Sequence, residues 1–204
     1  MLRSLLQLYI GLVLYGVSTA LFVHANLGAD PWDVFHLGVA KQLGISFGTV
    51  IILTGAAVLL LWIPIRQMPG LGTVSNVIVL GLAADATLAV LPPLESLVAR
   101  SALLAGAIVL NAIATGMYIG AGFGPGPRDG LMTGLHARTG WSLRGIRTAI
   151  ELSVLLIGWL LGGKFGVGTV IYALSIGPLI QLCLPWFSQP VSRNAVSPPR
   201  EIVS

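Results

Sequence analysis

The chain carries one sequence twice, displaced by 96 residues. Gly28, Pro31, Asp33, Gly38, Gly44 and Ser46 recur as Gly124, Pro127, Asp129, Gly134, Gly140 and Ser142. The register runs without a gap into Gly70, Gly72, Thr73 and Val74, which recur as Gly166, Gly168, Thr169 and Val170, and back to Val13, Leu14 and Thr19 against Val109, Leu110 and Thr115. Both copies are strongly apolar: hydrophobic residues make up 55% of the chain, charged residues 9%, and the mean hydropathy is +0.92. A soluble domain carries about a quarter charged residues, so this chain has too little charge to coat a water-exposed surface. A duplicated apolar chain points to an all-α, polytopic membrane helix bundle with two related halves, as in many small-molecule transporters.

Runs such as 4–23, 49–65 and 103–119 approach the roughly 20 residues needed to cross about 30 Å of hydrocarbon. Each half reads alike. A long helix (4–25, 101–121) meets a Gly/Pro-rich break, Asn26-Leu27-Gly28-Ala29-Asp30-Pro31 or Gly122-Phe123-Gly124-Pro125-Gly126-Pro127. A short helix (31–43, 127–139), a second long helix (46–65, 142–161), a Gly-x-Gly-Thr turn and a third long helix (73–91, 169–184) follow. The expected organisation is repeat 1 over 1–93, a linker over 94–100, repeat 2 over 101–187 and a disordered tail over 188–204. Arg3 before an apolar run imitates a signal peptide. The run is longer than a signal core, and its copy lies mid-chain, so it is expected to stay as a membrane helix.

Thirteen helical residues cover about 20 Å, too little to span a bilayer. In the first short helix Trp32, Phe35, Val39 and Leu43 form one apolar stripe. Such a helix can lie at the interface, or enter as a re-entrant segment where protein or a wet cavity surrounds it. Three spans per half would invert the second half relative to the first. Cationic residues favour a cytoplasmic location for both termini, whether the short helices span or not. Helix length therefore decides the expectation: six spans and two re-entrant elements.

The breaks carry the strongest chemical signal. Asp30 or Gly126 sits at the N-cap, Pro31 or Pro127 at the first helical position and Asp33 or Asp129 in the first turn, all of which suit a helix start. Interrupted helices at matched places in two halves also point to a midplane binding site, where free N–H groups and charged side chains meet a solute. Asn26, Asp30, Asp33, Arg128 and Asp129 are the candidate substrate-binding residues, with Arg128 able to pair with Asp33 or Asp129 or to hold a substrate carboxylate. Arg147 and Glu151, four residues apart, are expected to form an ion pair on one helix face. Asp85 and Glu151, inside long helices, are candidates for proton or ion coupling. Asp85 has Gln181 as its repeat partner. Tyr15, Asn76 and Asn111 either line the same path or bond across helices. Gly116-xxx-Gly120, Gly130-xxx-Gly134 and Gly158-xxx-Gly162 suit close packing within the chain or a homodimer face.

Other classes are disfavoured. The net charge of +4 is scattered at helix ends, which reads as membrane orientation and not as nucleic-acid binding. Cys183 is a single cysteine, and His24, His36 and His136 lie far apart, so neither a disulfide nor a metal site is expected. His-Glu-x-x-His, Gly-x-Ser-x-Gly and P-loop signatures are missing. Neither enzyme activity nor a cofactor is expected.

Asn26-Leu27-Gly28-x-x-Pro31-Trp32-Asp33-Val34, Gly44-Ile45-Ser46-Phe47-Gly48-Thr49 and Gly124-Pro125-Gly126-Pro127-Arg128-Asp129-Gly130-Leu131-Met132 resemble the YczE/YyaS/YitT-like bacterial integral membrane proteins, with the pattern of the YczE type. The resemblance spans residues 5–187 and implies a multi-pass protein of the bacterial cytoplasmic (inner) membrane. It implies no catalytic residues. The functional expectation is a secondary transporter or permease for a small polar or charged solute, with the lipid bilayer and that solute as partners. The alternatives are a non-transporting accessory or scaffold protein with a solid apolar interior, and a solute-binding subunit of a larger transport complex.

Overall fold

A computed structural model describes residues 1–188; apart from Ser188, the expected tail lies outside the described residues. Eight helices run in order: α1 (Leu2–Ala25), α2 (Pro31–Leu43), α3 (Phe47–Ile65), α4 (Leu71–Val90), α5 (Leu97–Gly120), α6 (Pro127–Thr139), α7 (Leu143–Leu160) and α8 (Val167–Phe187). The expected short helices, 31–43 and 127–139, are α2 and α6. Asp30 caps α2 by accepting the Asp33 N–H at 2.8 Å, and Pro31 holds the first helical position. Ser46 and Ser142 likewise cap α3 and α7. α5 starts at Leu97, four residues before the expected Ser101, because Ser96 caps it. α4 and α8 begin ahead of Thr73 and Thr169, whose hydroxyls reach back to the N–H groups of Gly70 and Gly166 at 3.1 and 3.3 Å.

Among the described residues, α1, α3, α4, α5 and α8 are long and apolar enough to cross a membrane. The sixth long helix, α7, carries Arg144, Arg147 and Glu151 in its N-terminal half. The chain is an all-α membrane helix bundle.

Glycines and alanines set the bundle's directions. Gly11 of α1 meets Met117 and Tyr118 of α5, and the Arg100 guanidinium near the start of α5 donates to the Ala25 carbonyl at the end of α1; α1 and α5 are antiparallel. Gly16 of α1 lies against Leu80 and Ala83 of α4, and His24 contacts the Pro92 carbonyl at 2.7 Å; α1 and α4 run parallel. α5 and α8 repeat that parallel pairing, with Gly116 near Cys183 and Gly120 near Phe187. Small residues let these backbones approach where lipid supplies no hydrophobic drive. A polar thread crosses the centre: Asn111 donates to Ser18 Oγ at 2.9 Å and accepts from the Tyr172 hydroxyl at 3.3 Å.

The two breaks are held by the opposite half. The Leu27 carbonyl accepts the Gly168 N–H at 2.8 Å, and the equivalent Phe123 carbonyl accepts the Gly72 N–H at 2.9 Å. Gly28 and Gly124 take φ of +112° and +110°, open to glycine and strained for other residues. A Cβ on Gly28 would come within 2.7 Å of Thr169 Oγ1. Phe47, opening α3, packs with Ala20 near the end of α1, so the chain enters and leaves α2 at one end of the bundle.

The short helices dock on long helices through glycine. Gly130 of α6 receives the Trp62 ring of α3, which an added Cβ would meet at 2.0 Å. In the other half the sizes are exchanged. Gly158 of α7, the repeat partner of Trp62, lies on the backbone of Val34 and Phe35, and Gly38 approaches the Gly158 carbonyl. All three small-xxx-small pairs thus begin on glycines packed inside the chain. Gly158→Ala is expected to force α2 from α7 and cost about 1–3 kcal/mol. Gly106→Ala, with nothing within 4 Å of the new carbon, should leave stability unchanged or raise it slightly. Thermal unfolding in detergent distinguishes the two.

Candidate functional site

The N-termini of α2 and α6 meet inside the bundle. A cavity of about 220 Å³ opens there, and every one of the eight described helices contributes to its wall: Tyr15, Trp32, Ile51, Asn76, Tyr118, Asp129, Glu151 and Tyr172 come from α1 to α8 in turn. The site is therefore assembled by both halves, and neither half closes it alone.

Charge is concentrated at this meeting point. Asp30 is buried, with one oxygen bound to the Asp33 N–H and Oδ2 3.6 Å from Arg128 Nη1. Sequence reasoning offered Asp33 or Asp129 as the partner of Arg128; the ion pair is instead with the capping residue. The reason is geometric. Asp30 Oδ1 is held by the Asp33 N–H, which leaves Oδ2 for Arg128, while Asp33 lies against His36 and Asp129 against Tyr118. Arg128 also stacks over the Trp32 ring, 4.7 Å from its centroid, which adds a cation–π attraction. Asp33 is 1% exposed, and its Oδ1 lies 3.4 Å from His36 Nδ1. Asp33 Oδ2 and Trp32 Nε1 are buried without a hydrogen-bond partner among the described residues. Asp129 Oδ2 accepts from the Tyr118 hydroxyl at 2.9 Å.

Arg147 Nε donates to Glu151 Oε1 at 2.9 Å, and this pair borders the cavity. Two candidates are placed elsewhere. Asn26 ends α1 in a left-handed turn and accepts from Lys164 Nζ at the end of the bundle. Asp85 accepts from Ser46 Oγ and, at 2.7 Å, from the Gly48 N–H, so both its oxygens hold the start of α3 against α4. Tyr118, Tyr172, Trp32 and His36 were not singled out as site residues. Aromatic and histidine side chains in a membrane helix carry no local mark that separates cavity lining from core. Tyr15 and Asn76 line the cavity, while Asn111 bonds across helices.

The equivalent faces of the two halves differ. α3 packs along α4 with Gly48 against Gly81, whereas α7 has no such packing on α8 among the described residues. Gly177, the repeat partner of Gly81, has nothing within 4 Å of its Cβ position. A groove of about 230 Å³ lies between α7 and α8, lined by Leu152, Leu155, Phe165, Val170 and Leu174, and it shares Pro31 and Glu151 with the central cavity.

Truncating one member of a buried ion pair leaves the other charge unanswered. Arg128→Met is expected to destabilise the protein by about 3–5 kcal/mol. Adding Asp30→Asn, which retains the cap, should recover most of that loss. A double-mutant cycle by thermal unfolding in detergent measures the coupling, and additive losses would show that the pair contributes nothing.

A protein of Haemophilus influenzae described as uncharacterized is 38% identical over 182 residues, covering 89% of this chain and 84% of that one. The uncharacterized membrane protein YczE of Bacillus subtilis is 30% identical over 179 residues, covering 87% and 83%. The uncharacterized protein YyaS of the same organism is 23% identical over 180 residues, covering 86% and 90%. No solved structure matches. The family profile described as a family of unknown function, DUF6198, matches residues 2–185, and the chain belongs to that family.

Proposed function

We propose that this protein is a secondary transporter or permease of the bacterial cytoplasmic membrane, moving a small polar or charged solute through the central cavity. The observation that carries this reading is the cavity itself: a polar chamber bounded by all eight described helices, where two proline-initiated helices meet head to head. Soluble-like cores are filled to high density, and a polar void among membrane helices is expensive unless something enters it. A scaffold protein would be expected to have a solid apolar interior.

In this reading the halves are inverted repeats, which the antiparallel α1 and α5 support, and α2 and α6 are re-entrant helices. The carboxylates and Arg128 at their N-termini contact the solute. Access alternates as the halves exchange conformations. In one half Asp85, Ser46 and Gly48 latch α3 to α4. In the other, Ser142 turns back to the Gly145 N–H and Gln181 makes no hydrogen bond among the described residues, so α7 stands free of α8. The buried unpaired atoms of Trp32 and Asp33 fit a site whose second arrangement answers them.

The test is access and flux. In a Cys183→Ser background, Thr54→Cys and Thr115→Cys, both on the cavity wall, are expected to react with a membrane-impermeant maleimide from one face of sealed vesicles. Proteoliposomes should show saturable counterflow of at least one of three labelled solute classes: small amines, small carboxylates or polyols. No labelling from either face, with denatured protein labelling fully, and no counterflow of any class would remove the transport reading.

A further inference from the structure

The charges around the cavity do not balance, and the imbalance identifies what the cavity holds. Three carboxylates border it, Asp30, Asp129 and Glu151, against two guanidinium groups, Arg128 and Arg147. Asp30 is answered by Arg128 at 3.6 Å and Glu151 by Arg147 at 2.9 Å. Asp129 makes no ion pair within 4.0 Å among the described residues. Its Oδ2 accepts from a neutral hydroxyl, that of Tyr118, at 2.9 Å, and its Oδ1 meets no donor among the described residues. Asp129 is half-buried on the cavity wall, where a charged side chain among apolar helices favours a partner of opposite sign.

The surroundings of Asp129 suit a cation with a carbon frame. The Tyr118 and Tyr15 rings lie edge to face, 5.9 Å between centroids, on the wall of the same cavity. Tyr15 and Asn76 also border it. Aromatic faces beside a carboxylate attract ammonium groups through the ring quadrupole. The Trp32 face is already covered by Arg128 at 4.7 Å, which leaves the tyrosine side for a ligand. A bare divalent ion asks for several converging oxygens of high charge, and Asp129 offers one unanswered carboxylate. An anion would meet the excess negative charge. A volume of about 220 Å³ is smaller than the 300–1,000 Å³ usual for drug-sized ligands, which fits a molecule of a few carbon atoms.

We propose that the cavity binds a small organic cation, its ammonium group paired with Asp129 and lying against the rings of Tyr118 and Tyr15. This rests on the cavity being the solute site, and it names the class of solute.

The experiment is calorimetric titration and thermal shift of the full-length protein in detergent, with choline, tetramethylammonium and ethylammonium as chlorides. Sodium chloride and sodium acetate at equal ionic strength are the controls. At least one amine is expected to bind saturably and raise the unfolding midpoint, while acetate does neither. Asp129→Asn should weaken binding at least tenfold. Tyr15→Leu should weaken it severalfold through lost ring contact, giving a second variant should Asp129→Asn fold poorly. Glu95→Gln, at an exposed position before α5, should leave it unchanged. Failure of all three amines to bind, or unchanged affinity in a folded Asp129→Asn protein, would overturn the proposal. Amine binding without amine counterflow in proteoliposomes upholds it while removing the transport reading. Counterflow of a carboxylate or polyol with no amine binding overturns it while upholding transport.

Discussion

Two interrupted stretches of backbone have to find hydrogen-bond partners, and the architecture follows from how that is done. Hydrocarbon offers no partners for free N–H and C=O groups, so irregular chain at membrane depth survives only against protein or a wet cavity. Here each break is closed by the other half: the Leu27 carbonyl takes the Gly168 N–H and the Phe123 carbonyl takes the Gly72 N–H. Glycine at 28 and 124 allows the turn, and glycine at 72 and 168 allows the approach. Each half thus supplies what the other lacks, and the cavity forms between the two closures, where the starts of α2 and α6 meet.

Likeness between the halves makes their differences informative. The same packing problem, a short helix on a long one, is solved by Trp62 against Gly130 on one side and by Gly158 against Val34 and Phe35 on the other. A ring fills the gap on one side, and direct approach of the backbone closes it on the other. The α3–α4 and α7–α8 faces diverge further, since one is latched through Asp85 and the other is open to a groove.

Much of this was legible from the chain. Asp30-Pro31-x-Asp33 and Gly126-Pro127-x-Asp129 marked the starts of α2 and α6, because N-cap, proline and first-turn acid are local effects acting within one helical turn. Arg147 and Glu151 were readable as a pair for the same reason. Asp85 read as a possible proton carrier and turned out to cap α3, 37 residues away from Gly48, a contact that no local rule contains. Asn26 sat in the right motif, but the left-handed turn ending α1 directs it to Lys164. The start of α5 at Leu97 depended on whether Ser96 capped, and serine fits loops and caps alike.

By itself, the sequence determined that the chain is a membrane helix bundle and where its short helices begin, since composition and capping are written in neighbouring residues. Only the tertiary structure decided that Arg128 answers Asp30, that Asp129 is left to Tyr118, and that α7 stands away from α8. Those outcomes depend on how distant segments dock. Docking is set by the sum of many weak contacts between small residues, none of which is strong enough alone to be read in advance.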